Sequence, residues 1–491
     1  MEHVDVLIVG AGLSGVGAAC HLRQKCPGKS FAILEGRGAL GGTWDLFRYP
    51  GIRSDSDMYT LGYRFRPWGD AKAIADGPSI LNYIRETAEE FGVDKLIRYG
   101  HRVRLASWSS EDALWTVEAE TGPEKSVARF TCNFLYLCTG YYDYDGGYTP
   151  EWPGFERFRG RIVHPQKWPE DLDYEGKRVA VIGSGATAVT LVPALAERAA
   201  HVTMLQRSPT YVVSRPSEDR IANRLRRHLP ARAAYALTRW KNVLLGMFFY
   251  HLARRQPELF KRMVAKGVRH QLGEGYDSRH FTPQYNPWDQ RLCLVPDSDL
   301  FRALRDGRAS VVTDHIESFT ETGLQLKSGG HLDADIIVTA TGLVLKIMSG
   351  LRLVVDGAPV EMSKRMAYKG MMYSDVPNLA SALGYTNASW TLKCDLTAEY
   401  VCRLLNHMER HGYARCTPRV NDPAVKEEPI IDFTSGYVQR ALHTLPRQGS
   451  KTPWKLHQNY VKDLSMLRYG RVEDGVMEFE AAPSRHKIQN V

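Results

Sequence analysis

Val4-Asp5-Val6-Leu7-Ile8-Val9 runs without a break into Gly10-Ala11-Gly12-Leu13-Ser14-Gly15. A short apolar run that stops on a glycine-rich turn reads as a buried strand feeding a helix. Small and apolar residues from Val16 to Leu22 continue the helix, and Phe31-Ala32-Ile33-Leu34 supplies a second strand that ends at Glu35. The three glycines have separate tasks. Gly10 permits the sharp turn, Gly12 lets the backbone approach a pyrophosphate, and Gly15 lets helix and strand pack closely. The helix N-terminus then faces the phosphates. Glu35 stands 20 residues after Gly15, where a carboxylate accepts hydrogen bonds from ribose hydroxyls and repels a 2′-phosphate.

One such turn is weak evidence, but the same order of parts returns. Lys177-Arg178-Val179-Ala180-Val181-Ile182 is followed by Gly183-Ser184-Gly185-Ala186-Thr187-Ala188, then by a helix to Leu195 and a strand His201-Val202-Thr203-Met204-Leu205. Ala188 stands at the third position, which the fingerprint tolerates. After this strand comes Gln206-Arg207-Ser208 in place of an acid. A planar, permanently charged guanidinium suits a 2′-phosphate, so the second unit reads as an NADPH site and the first as an FAD site. Read without that context, Arg207 is a surface arginine in an ion pair.

At 491 residues the chain exceeds one ordinary core. The sequence predicts an α/β protein with two Rossmann-like dinucleotide-binding domains and a helical insert in the second. We place the FAD domain at 1–145 and 335–491, and the NADPH domain at 146–334 with a basic insert at about 215–275. From Arg215 to His270 there are 14 Lys/Arg against 3 Asp/Glu, a surplus larger than the chain's net +9, so the remainder is slightly acidic. This reads as a solvated helical face, with no basic-aromatic motif for nucleic acid. Within it, Val243-Leu244-Leu245-Gly246-Met247-Phe248-Phe249-Tyr250 is too short to span a bilayer. It reads as a buried helix or as a patch resting on a membrane surface. Eight cysteines show no Cys-x-x-Cys pair, which removes the reagent of a flavin disulfide reductase. With no basic start or small-residue cleavage site near Val4, a reducing cytoplasm is expected, with peripheral membrane contact left open.

Further stretches resemble the class B flavin monooxygenases across nearly the whole chain. They are Gly41-Gly42-Thr43-Trp44-Asp45-Leu46, Arg48-Tyr49-Pro50-Gly51-Ile52-Arg53-Ser54-Asp55, and Trp288-Asp289-Gln290-Arg291-Leu292. Phe158-Arg159-Gly160-Arg161-Ile162-Val163-His164-Pro165-Gln166-Lys167-Trp168-Pro169 resembles the Baeyer-Villiger fingerprint at every fixed position. In N- and S-oxygenating relatives a Phe or Tyr stands where this chain has Trp168. Tyr49 to Thr60 and Tyr385 to Lys393 resemble mycobacterial members.

The resemblance implies an enzyme that uses FAD, NADPH and O2 to convert ketones to esters or lactones through a flavin C4a-peroxide, and that also oxidises sulfides or thioamides. It implies that Ser14, Glu35, Gly42 to Leu46, Arg53, Ser54 and Asp55 touch FAD and that Val103 meets the adenine. Arg291 would be the catalytic cation, with Asp55 orienting it. Without the family pattern, Thr43-Trp44 is loop plus core aromatic. Gln290 replaces a lysine common in the family, leaving phosphate recognition to Arg207 and Ser208. His164 belongs to a hinge between domains and is not assigned as a base. Leu137-Cys138-Thr139-Gly140 and Thr339-Ala340-Thr341-Gly342 resemble domain-crossing turns. Val376-Pro377-Asn378-Leu379 and Asn387-Ala388-Ser389-Trp390 return to the flavin, with Trp390 expected to line the substrate pocket. The alternatives are an N- or S-oxygenating flavin monooxygenase without ketone activity, and a non-catalytic, membrane-associated nucleotide-binding protein.

Overall fold

In the computed structural model, which describes residues 1–290, 292–431 and 433–481, the opening apolar run forms the strand Glu2–Val9. Val6, Leu7 and Ile8 are fully buried, each worth about 1.5–3 kcal/mol relative to exposure. The strand lies between Phe31–Leu34 and Ser126–Leu137, both parallel to it, with Val9 opposite Leu34 and Leu137. That alignment ends three strands at one edge, where the helix Leu13–Lys25 begins. The sheet has nine strands. It continues through an antiparallel meander, Leu114–Thr121 and His101–Ser109, and Leu379–Ser381 adds to Ser126–Leu137 in parallel. The helix Trp390–His411 packs across Leu13–Lys25, so the C-terminal third covers the first nucleotide unit.

The second unit is a five-stranded parallel sheet. Its order is Ala309–Thr313, His201–Gln206, Arg178–Ile182, Ile336–Thr339 and Arg161–Val163. The strand Ile336–Thr339 therefore corrects the boundary drawn at 335: it pairs with Arg178–Ile182 and belongs to the second sheet. The return crossing falls just after it, where Leu343–Leu345 pairs antiparallel with the outgoing Tyr142–Gly147. Both crossings thus travel as one two-stranded ribbon.

Between His201–Gln206 and Ala309–Thr313 the basic insert forms helices Arg220–His228, Ala231–Arg255 and Pro257–Leu272. It is not uniformly solvated as its charge suggests. Arg239 is 4% exposed; its guanidinium donates to the Tyr59 and Gly62 carbonyls, each at 2.8 Å, and pairs with Asp395 at 3.4 Å. A buried cation is costly unless it is paired and hydrogen-bonded; here the bonds of its two terminal nitrogens fasten the insert onto the first domain, while Nε meets no partner among the described residues. The apolar run from Val243 is not a buried helix either: Val243 is buried, but Leu244, Leu245 and Phe248 are 54%, 42% and 60% exposed. Among the described residues no helix is long and apolar enough to cross a membrane. All eight cysteines are buried, and no disulfide joins any two of them.

Candidate active site

The first phosphate turn is built by steric exclusion. Gly10 has φ +104°, and a Cβ there would stand 2.5 Å from the Cys138 carbonyl oxygen. Gly183 repeats the arrangement, with φ +141° and a Cβ position 2.3 Å from the Ala340 carbonyl oxygen. In each unit the first glycine thus sits against the strand that leads to a domain crossing. Gly12 caps Leu13–Lys25 and Gly185 caps Ala186–Leu195, neither with a side-chain cap. The first-turn N–H groups of both helices remain as donors for an anion. A Cβ on Gly185 would touch nothing within 4 Å, so the approach to the second turn is open.

Glu35, 6% exposed, accepts from the Ala11 N–H at 2.7 Å and the Arg37 N–H at 2.9 Å. Two of its roughly four lone-pair positions are used, leaving the others for hydroxyl donors. Burial lifts its carboxyl above the usual range, and the two backbone donors oppose that lift. The short helix Thr43–Leu46 is fastened beside it. Arg37 donates to the Gly42 carbonyl at 3.2 Å and to Asp45 at 2.6 Å, and Arg48 takes the other Asp45 oxygen at 3.2 Å. Asp45 therefore spends its carboxylate on pinning the loop. Trp44 packs on the first domain's core, while Leu46, Phe47 and Tyr49 pack on the second's. Val103 is buried in His101–Ser109, and the His101 N–H donates to the Glu35 carbonyl, which holds that strand against the acid.

From Gly51 to Asp55 the loop runs against the second unit. A Cβ on Gly51 would meet Ala194 at 2.7 Å. Burial pushes the Tyr49 hydroxyl up to about 12, opposed by a hydrogen bond with the Thr187 side chain. This link between the flavin-loop motif and the second phosphate turn was not read from sequence, where Tyr49 is one aromatic in a loop. Arg53 pairs with Asp299 at 2.5 Å, at the start of Asp299–Arg305. Ser54 is buried and its hydroxyl accepts from the Ser56 N–H at 2.9 Å. Asp55 is exposed toward a cavity. Arg291 lies outside the described residues.

At the second turn, the Ser184 hydroxyl donates to the Ser208 carbonyl at 2.9 Å, which holds the Arg207-Ser208 loop beside the helix start. Arg207 and Ser208 are exposed. Among the described residues Arg207 pairs with no carboxylate, so the ion-pair reading of it fails. The donor sets fit the two nucleotides: an acid beside one uncapped helix, a free guanidinium beside the other. Arg207→Ala is expected to raise KM for NADPH by about 10- to 100-fold, the worth of a charge-assisted contact, with little effect on kcat or on NADH oxidation. Steady-state NADPH oxidation measures this, and an unchanged KM removes Arg207 from the site.

Trp390 does not line the cavity. Its indole N–H donates to the Ser14 hydroxyl at 2.9 Å and its ring stacks on Tyr141 at 4.8 Å. Asn387, Ala388, Ser389 and Leu392 line the cavity in its place. Trp390–His411 starts without a side-chain cap. Among the described residues the Thr391 hydroxyl and the Asn387 side-chain amide oxygen are buried without a partner, which suits a polar group bound beside the start of that helix. The cavity, about 760 Å³, is lined from the first domain by Asp55 and Asp57, from the 288–292 segment by Trp288 and Leu292, and from the insert by Met247, Phe249 and Phe260.

His164 acts on the ribbon. Its Nδ1 accepts from the Gln166 N–H at 3.2 Å and its Nε2 donates to the Gly342 carbonyl at 3.2 Å, a neutral tautomer. A Cβ on Gly147 would enter the imidazole at 1.9 Å, so both crossing strands touch this ring. Gly160 is needed against the Asp335 carbonyl, 2.3 Å from its Cβ position, and Trp168 packs on the second core. Burial holds the His164 pKa below its ordinary 6.5, with the Gly342 contact opposing. The unfolded chain therefore protonates first, so this contribution is complete above pH 6.5 and is lost as pH falls through the lower folded value. His164→Gln, which keeps a donor and an acceptor but cannot titrate, is expected to flatten the fall in Tm from neutral pH to about pH 5. Equal slopes would sink that assignment.

Residues 73–348 match the family model described as flavin-binding monooxygenase-like, and residues 8–71 match that of an NAD(P)-binding Rossmann-like domain. The FAD-containing monooxygenase EthA of Mycobacterium tuberculosis is 56% identical over 98% of this chain and 99% of its own. The chain belongs to the flavin-binding monooxygenase-like family. Family membership and fold agree. Steroid monooxygenase bound to NADP superposes with TM-score 0.74 at 22% identity, and cyclohexanone monooxygenase in its open form with TM-score 0.74 at 20%, each over 98% of this chain and 100% of that one. At those identities the likeness speaks for the fold.

Proposed function

We propose that this flavin monooxygenase, using FAD and NADPH, inserts one atom of O2 into a ketone to give an ester or lactone, and oxidises sulfides or thioamides at the same centre. The supporting observation is that one cavity is lined by Asp55 and, from the far segment, by Trp288 and Leu292. When bound, the flavin supplies O2 activation after taking a hydride from NADPH. The balance is ketone, O2, NADPH and a proton giving ester, water and NADP⁺.

The chain's own groups do the rest. Glu35 takes the ribose hydroxyls of FAD, and the N–H groups behind Gly12 take its pyrophosphate. Arg207 takes the 2′-phosphate of NADPH, and the turn Gly183 to Ala188 takes its pyrophosphate. Arg291 stabilises the oxyanion that forms on the substrate's carbonyl oxygen, since its charge persists at any physiological pH. Asp55 orients that guanidinium. The apolar walls from the insert exclude water. Eight reduced thiols fit a cytoplasmic setting.

The test is incubation with NADPH, isotopically labelled O2 and a panel of ketones and sulfides, read by product mass. Esters carrying one labelled oxygen are expected. Sulfoxides without any ester would restrict the enzyme to S-oxygenation, and absence of both product and NADPH oxidation would remove the catalytic reading.

A further inference from the structure

We propose that the exposed face of the helix Ala231–Arg255 docks on an anionic lipid surface, and that the cavity takes an apolar, bilayer-partitioned substrate from that surface. This deepens the monooxygenase reading and rests on it.

Leu237, Trp240, Leu244 and Phe248 follow one another at spacings of three, four and four residues, which puts them on one helix face. They are 53%, 40%, 54% and 60% exposed. Scattered exposed apolar side chains need no explanation, but a stripe four residues long on a single face marks an interaction site. It also leads into the cavity: Leu245, next to Leu244, is an exposed cavity-lining residue, as are Ile221 and Met263 on the flanking helices. The rim of the substrate cavity and the apolar stripe therefore form one surface. Val212, Val243, Met247 and Phe260 carry the apolar lining inward.

Charge selects the occupant. The helix Ala231–Arg255 contains no Asp or Glu, nor does Arg220–His228. Arg224, Arg227, Arg232, Arg255 and Lys266 are exposed, and among the described residues they pair with no carboxylate. A second copy of the chain docking face to face through this stripe would set these cations against each other. An anionic headgroup layer meets them, while the apolar stripe enters the boundary below the headgroups. The helix lies on the surface and does not span it.

The holoenzyme is sedimented with phosphatidylglycerol-containing vesicles and with pure phosphatidylcholine vesicles at low and high salt. Binding to the anionic vesicles, weakened by salt, is expected. The double variant Leu244→Asp/Phe248→Asp lies outside the cavity lining and is expected to partition about tenfold less, as two apolar anchors are lost. It should keep wild-type turnover of a short water-soluble ketone and lose turnover of a long-chain ketone loaded into the vesicles. Wild-type protein left in the supernatant, or equal partition of the variant, overturns the proposal. So does a dimer seen by analytical ultracentrifugation that the variant abolishes without vesicle binding. Vesicle binding lost in the variant, with no oxygenation of any substrate by either protein, would leave the docking surface standing and sink the monooxygenase reading.

Discussion

Arg291→Ala is expected to lower formation of oxygenated product by about 10²- to 10³-fold, the cost of losing one preorganised stabiliser of a developing oxyanion. NADPH should still bleach the flavin, and O2 should now be consumed with release of hydrogen peroxide. The split follows from where charge develops. Hydride delivery rests on the two nucleotide turns, Gly10 to Gly15 and Gly183 to Ala188, whereas attack on a carbonyl carbon leaves negative charge on oxygen that a fixed guanidinium stabilises. Arg291→Lys keeps the charge but loses the planar fork, so an intermediate rate is expected. FAD content, product yield and peroxide are measured on the same preparation. Wild-type ester formation by Arg291→Ala, with full FAD content, would end the assignment.

What was legible in the sequence is what the backbone itself must do. A turn that brings helix, strand and pyrophosphate together leaves no room for side chains at fixed offsets, so Gly10, Gly12, Gly15 and Gly183 announce their places. The contrast of Glu35 with Arg207 was readable because each is the residue just after its unit's second strand, the position at which a dinucleotide fold reads the ribose. The boundary at 335 was misplaced because Ile336 to Thr339 is apolar whichever sheet it joins; only its pairing with Arg178–Ile182 decides. Trp390 could not be placed because its partner, Ser14, is at the other end of the chain. Arg239 looked solvated because the carbonyls that hold it come from Tyr59 and Gly62. The run from Val243 shows the same limit: apolar sequence identifies a face that wants cover, and tertiary packing determines how much it gets.

The sharpest consequence of the first turn concerns Gly15. A Cβ there would stand 1.8 Å from the Gly10 carbonyl oxygen and 3.4 Å from the Cys138 Cβ. The clash is with backbone, so no rotamer relieves it. The helix Leu13–Lys25 must move off its strand, carrying its uncapped N–H groups with it. The second unit fills the corresponding place with Ala188, itself fully buried, so that unit is assembled with room for a methyl group. Gly15→Ala is therefore expected to purify with roughly a tenth or less of the wild-type FAD, because overpacking a well-filled contact displaces the phosphate donors. Retention on immobilised 2′,5′-ADP, which we assign to Arg207 and the second turn, should persist and would show that the chain has folded. A protein that stays yellow with wild-type FAD content would mean that close helix-strand approach at Gly15 is not what positions the flavin. Loss of both nucleotides would trace the defect to folding, and the comparison would then pass to Ala188→Gly, where removing a methyl from the second unit should leave FAD untouched and weaken retention on 2′,5′-ADP.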